Sequence, residues 1–575
     1  MGAGQHDVAG VPARGGDLLL PAARRHRRRP RPRQRGTGRR PAGRQPAVSA
    51  ALQQIEDIID ASGAAEKIEA LLPQGARGRQ LPTRTLLAGM MLALEQGRPA
   101  HLTRMLAALT SLPETDQKRL GITEQQDKGP HQLTYRQAEN TFALVTGTLG
   151  KDEPDGAPAR ELQEVCDLLL EASIPPEFKT TSASLAVDWT DLESWSRPPP
   201  HGSTVCADPE AHWGHRNSNL PGPKGEMFFG YYISAATMVP DEDGQPVPEL
   251  ARRMTAGSCK AEPARAVAGV LAAMPAHGIP LGDVIADSGC SHRLPGRWAN
   301  PLRRAGAQMV VDLHPSDRGP HGTCQGAVVC NGCLYCPATP GPLLQISPLQ
   351  PGASAGDVTA HDARTAELSR YKLGVHAAED ADGYRRLACP ATTGKIRCPL
   401  RPQSMALHRD RPEILAPPQN PPACCTQQTI TAGPQTAEKT RQKHDYPGRA
   451  WRLSYNRRTA AERLNSTIKD PATTSISRGW IRLMGLTAAM LWTACLLAVR
   501  NLRILNAWQK RQDENARRAA KGLPPRTRSK RRQTTAAATT ATTSPADPAP
   551  TRKHRKRRPA TSTNGTMAVA STAQT

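Results

Sequence analysis

Apolar residues recur at helical spacing through the first third of the chain. Leu86, Leu87, Met90, Met91 and Leu94 form one stripe, and Leu102, Met105, Leu106 and Leu109 form another. This i, i+3, i+4, i+7 pattern predicts helices over 51–147, broken at Pro82, Pro99 and Pro113. Leu162, Val165 and Leu169 predict a further helix over about 160–171, ended by Pro175–Pro176. The pattern then becomes strand-like at Ser184 to Thr190 and at Glu226 to Val239. A helix over about 261–275 follows, then a strand ending Val284-Ile285-Ala286-Asp287, a short helix near 297–305 and a strand from Gln308 to Leu313. Strands alternating with helices indicate an α/β layer. Residues 314–440 are irregular and rich in Pro, Gly and Cys, and helical periodicity returns from Arg457 to Lys510 with a break at Pro471.

These changes divide the chain into an Arg-rich disordered tail (1–50), a mainly helical domain (51–180), an α/β domain begun at 181–313, a Cys/Pro/Gly-rich insertion (314–440), closing helices (441–510) and a second basic disordered tail (511–575). A length of 575 residues is consistent with several folded units. No internal repeat is evident. Leu18 to Leu20 is too short for the apolar part of a signal peptide. Leu483 to Val499 carries no charge and reaches the short limit for a membrane span, but it reads as a buried core helix.

Charge changes the picture. Lys and Arg number 76 against 51 Asp and Glu, a net of +25. Residues 1–44 carry +10 and 503–575 carry +14, which leaves +1 for the middle. Such a distribution points to a polyanionic partner held partly by tails that cannot bury a core. Within the middle, Arg441 to Arg482 stands out with ten basic residues against three acids.

Two apolar strands end in an acid, at Asp188 and at Asp287. Carboxylates at strand ends are placed to share a ligand, although an aspartate that merely terminates a strand is common. Tyr455, Arg458, Glu462 and Lys469 project within about 60° of one helical face, which sets one carboxylate between two cations and a phenol. Taken alone, that face is equally a solvated surface with an Arg458–Glu462 pair.

Together these residues resemble the DDE transposases of bacterial insertion sequences, in the class marked Tyr-x2-Arg-x3-Glu-x6-Lys. Tyr455, Arg458, Glu462 and Lys469 match all three spacings, and the segments from Gly225 to Val239 and from Asp283 to His292 are similar to the family's strands around its two aspartates. The resemblance covers about 80–510 and implies an RNase H-like catalytic domain with Asp188, Asp287 and Glu462 holding two Mg²⁺ (or Mn²⁺) ions. It implies DNA contacts by Tyr455, Arg458 and Lys469, double-stranded DNA as partner, a homo-oligomer on DNA, and a cytoplasmic, nucleoid-associated enzyme with no membrane. The expected activity is binding of terminal inverted repeats with metal-dependent cleavage and strand transfer. Asp191 and Asp283 lie close enough in sequence to stand in for either aspartate, and Cys290 replaces an aromatic. Two rival readings remain at this point: a catalytically inactive, zinc-containing DNA-binding protein, and an RNase H-like nuclease that does not join strands. The zinc reading rests on Cys324, Cys330, Cys333 and Cys336, the last three in Cys-x2-Cys-x2-Cys spacing, set against reduced, buried thiols.

Overall fold

The structure is a computed structural model, which describes residues 48–73, 81–126, 129–150, 156–216, 226–473 and 475–526. Most of the two basic tails expected at 1–50 and 511–575 lies outside the described residues. Two units are distinguished, Met1–Gln509 and Lys510–Thr575. In the second, the helix that begins in the first continues to Ala519, where disorder was expected, and Arg518 Nε then donates to Pro524 O at 2.8 Å.

The centre of the first unit is a mixed sheet. Strands β1 (Leu185–Glu193), β2 (Met227–Met238) and β3 (Ala251–Ser258) form an antiparallel meander, with β2 in the middle. Strands β4 (Asp283–Ala286) and β5 (Gln308–Val311) extend the other side of β1 in parallel, giving the order β3-β2-β1-β4-β5. A short strand, His212–His215, pairs with the free end of β2. Strand β3 was not anticipated, because Arg252 and Arg253 interrupt its apolar pattern. Both are buried, and both are paired to Glu171.

Alternation along β2 explains why the sheet is covered on both faces. Tyr231, Ile233 and Ala235 face one layer, whereas Ala236 and Met238 face the other. The first layer is made by helices α1 (Val48–Ser62), α2 (Thr83–Glu95), α3 (Leu102–Thr110), α4 (Tyr135–Leu149) and α5 (Arg160–Ala172). Their stripes, including Leu52, Ile55, Met90, Met105 and Leu169, join the sheet in one continuous apolar core. The helical region therefore shares its core with the α/β region. The second layer contains α6 (Pro263–Ala272), α7 (Ala299–Arg304) and α8 (Arg449–Tyr455). Helix α9 (Thr459–Ile468) reaches both cores, with Ala460 and Ala461 in one and Leu464 and Ile468 in the other.

Helix α10 (Leu486–Ala519) begins by running through the first core, with every residue from Leu486 to Asn501 buried. By length and composition it could cross a membrane, yet 78% of its most apolar window is buried inside the protein. Asn501 explains part of its placement: its side chain accepts from Ala251 N and donates to Ala251 O, each at 2.8 Å, so it closes the exposed edge of β3.

The insertion is more regular than its composition predicts. It holds two three-stranded antiparallel sheets and a helix, Ala355–Tyr371, with the capping box Ser354–Asp357. The first sheet turns at Asn331-Gly332, both with positive φ, as a tight hairpin requires.

Asp167 on α5 carries a pKa pushed up to about 6 by burial, against the pull of Arg253 at 3.8 Å. Between about pH 4 and 6 the folded chain thus holds a proton that the unfolded chain has released, and this contribution to stability is lost as pH rises through about 6. The Tm of Asp167→Asn relative to wild type should therefore rise between acidic and neutral pH; a difference that stays constant contradicts the assignment.

Candidate active site

The parallel register of β1 and β4 places the two aspartates. Leu185 pairs with Val284 and Ala186 with Ile285, and the same offset carried two residues further sets Asp188 level with Asp287. Asp188 Oδ1 accepts from Trp189 N at 2.9 Å, and Asn465 Nδ2 on α9 donates to its Oδ2 at 3.1 Å. Asp287 caps the turn that leaves β4, with its Oδ1 accepting from Gly289 N at 2.9 Å. Gly289 is required here by space. A Cβ would stand 2.7 Å from the Trp189 ring and 3.1 Å from Asp287 Oδ1.

Glu462 is brought to the same place by α9. Its side chain is 53% exposed, so it faces outward beside the sheet edge. One guanidinium joins all three acids: Arg458 stands 3.5 Å from Asp188 Oδ2, 3.4 Å from Asp287 Oδ2 and 2.5 Å from Glu462 Oε1. Three chain segments more than 90 residues apart thus converge on one cation. Burial pushes Asp188 up to about 6 against the pull of Arg458, and Asp287 adds to the rise. Burial also works against the charge of Arg458, but Tyr455 and the three carboxylates outweigh it and hold the guanidinium protonated.

The neighbouring acids have other partners. Asp283, at the opposite end of β4, is clamped by Lys443 at 2.9 Å and by Arg457 at 2.7 Å. Asp191 is held by Lys469 at 2.6 Å and by Arg216 at 2.9 Å. Burial acts to raise Asp191, yet these two cations hold it below the usual carboxylate range. Of the four acids, Asp188 and Asp287 are the two that share Arg458 with Glu462.

The supporting residues depart from expectation. A single helical face was predicted for Tyr455 to Lys469, but the backbone tightens into a 3₁₀ turn at Asn456–Arg458, and α9 ends at Ile468. Tyr455 stacks on Trp451 with ring centroids 4.8 Å apart and joins the second core. Lys469 is engaged by Asp191 and Arg458 by the triad, so neither is an unpaired phosphate contact. Asn465 and Gly289 were missed by the sequence reading. Cys290 is buried beneath the turn, and burial pushes its thiol well up.

The cysteine set named from the sequence does not assemble. Cys330 Sγ donates to Leu344 O and Cys333 Sγ to Asp445 Oδ1, each at 3.3 Å, while Cys324 sits beside Thr436. Cys336 lies toward Cys389, Cys398 and Cys425 instead. The Cys-x2-Cys-x2-Cys run occupies a hairpin, and its thiols take separate partners on the surrounding segments. Among the described residues, one trio of metal-ligating side chains has its ligand atoms all within 4.8 Å of one another: His292, His314 and Asp317. Its carboxylate is already bonded by Lys439 at 2.8 Å.

Compared with known proteins, the chain matches no family model, no curated protein and no solved structure.

Arg458 neutralises carboxylates that would otherwise repel one another at a half-buried site. Removing one partner of such a cluster costs about 3–5 kcal/mol. Arg458→Ala should lower stability by that order, and Mg²⁺ should raise the Tm of the variant more than that of wild type. Equal Mg²⁺ responses in the two proteins contradict a shared cation site.

Proposed function

We propose that this chain is a DDE transposase, which binds the ends of a mobile element in double-stranded DNA and catalyses metal-dependent cleavage and strand transfer. One observation carries the reading: Asp188, Asp287 and Glu462, from three separate segments, meet around Arg458 where β4 leaves a mixed sheet beside β1. The RNase H-like reading expects the two aspartates on adjacent strands of such a sheet, and the neighbouring β1 and β4 support it.

The donor set fits Mg²⁺ or Mn²⁺. It consists of carboxylate oxygens without thiolate or imidazole, and hard cations take oxygen ligands. Asp188, Asp287 and Glu462 would hold the ions. When bound, two such ions activate a water or 3′-hydroxyl and stabilise the leaving oxygen of an in-line displacement.

The chain's own residues prepare that chemistry. The Trp189 amide and Asn465 fix the orientation of Asp188, and the Gly289 amide fixes Asp287. These bonds fix the carboxylate oxygens of Asp188 and Asp287 before any cation arrives. Glu462, exposed and on a separate helix, completes the set from the solvent side. Arg458 offsets the repulsion of the three acids, and its buried Nε has no hydrogen-bond partner.

Glu462→Gln keeps the side chain's size and removes its charge. Its exposed position predicts normal folding and DNA binding, with cleavage and joining reduced by several orders of magnitude. Assays on duplex DNA containing the element's ends, in Mg²⁺, separate the outcomes. Near-normal cleavage by the variant contradicts the triad, and cleavage by wild type without joining indicates a nuclease.

A further inference from the structure

The cations nominated by sequence as DNA contacts are bound to carboxylates, which raises the question of where unpaired positive charge lies. Around the candidate active site Arg458, Lys469, Arg216, Arg457, Lys443 and Arg463 all form ion pairs. Further along β1 the situation reverses. Trp195 follows the end of that strand and is 39% exposed. Arg482 lies over its ring at 4.9 Å, a cation–π contact. Arg478 donates to Ser196 O at 3.4 Å, and Arg482 Nε to Gly479 O at 3.3 Å. His101, at the start of α3, donates to the same Gly479 oxygen at 3.3 Å.

Arg104, one turn into α3, completes the group. Among the described residues, Arg104, Arg478 and Arg482 are exposed and form no ion pair with a carboxylate. The environment of His101 gives the same sign: burial lowers its pKa, and Arg482 and Arg104 push in the same direction. Arg478 and Arg482 hold their charge beside backbone carbonyls and an indole, Arg104 adds its own near His101, and among the described residues no carboxylate pairs with any of the three.

We infer that Trp195, Arg104, Arg478 and Arg482 form a docking surface for the flank of duplex DNA whose scissile phosphate lies at the three carboxylates. The inference rests on the transposase reading for the position of the cut, whereas charge complementarity alone carries the choice of a polyphosphate partner. Seven residue steps of mostly extended chain lead from Asp188 to Trp195, or about 23 Å at roughly 3.3 Å per residue. At roughly 3.4 Å per base pair this is about seven base pairs of duplex. The arginines take phosphates, and the indole supplies an apolar contact to the sugar edge between them. The surface is assembled from the helical region, β1 and the loop before α10, so it forms only when these parts share one core. This joins the helical region to DNA-end recognition without requiring a helix in a groove.

Fluorescence anisotropy of a labelled DNA duplex, measured across a salt series with the full chain, tests the surface. Each phosphate contact contributes about 0.9 to the slope of log K against log salt. Arg478→Ala/Arg482→Ala should lower that slope by about two units, while Trp195→Ala should weaken binding severalfold with the slope unchanged. A double variant with the wild-type slope overturns the proposal, as does a wild type that does not bind duplex. The two readings can fail separately. If wild type binds with the expected slope loss in the variant but never cleaves in Mg²⁺, the docking surface stands and the transposase reading falls. If wild type cleaves and the double variant keeps the wild-type slope, the reverse holds.

Discussion

Three carboxylates held against one guanidinium set the terms for the rest of this structure. Asp188 sits within the sheet, where burial raises its pKa, and Asp287 stands level with it on the neighbouring strand. Two acids at this spacing repel one another unless a cation lies between them. Arg458 supplies that cation from the end of a 3₁₀ turn just before α9. The position of α9 is in turn fixed by Leu464 and Ile468 in one core and by Ala460 and Ala461 in the other. The site therefore depends on both apolar layers at once.

Much of this arrangement is legible in the sequence, and the exceptions have physical causes. Strands β1, β2, β4 and β5 are short apolar runs ended by turn formers, and α10 is a long apolar run that the protein buries completely over its first turns. Strand β3 is hidden because burial of Arg252 and Arg253 is made tolerable by Glu171, which lies about 80 residues away in sequence. The hairpin at Asn331-Gly332 carries a turn signal that the surrounding Cys and Pro content obscures. The cysteine run itself misleads, since regular spacing along a chain does not fix where thiols point once the segment forms a hairpin.

At the candidate site, the spacing of Tyr455, Arg458, Glu462 and Lys469 identifies the right segment, but the roles differ. Spacing reports which residues share a face and is silent on which acids will claim them. Asp191 takes Lys469, and Asp283 takes Arg457 and Lys443. Such pairing separates two kinds of basic residue that composition counts alike: those that bind carboxylates around the candidate site, and the exposed arginines around Trp195 that pair with no carboxylate among the described residues.

On the proposed function, Asp188 and Asp287 jointly hold divalent cations beside the end of β4. Mn²⁺ titration followed by electron paramagnetic resonance tests it most directly, with wild type compared against Asp188→Asn and Asp287→Asn. The account predicts that wild type binds Mn²⁺ and that either substitution abolishes most of this binding. Mn²⁺ binding that survives both substitutions contradicts it.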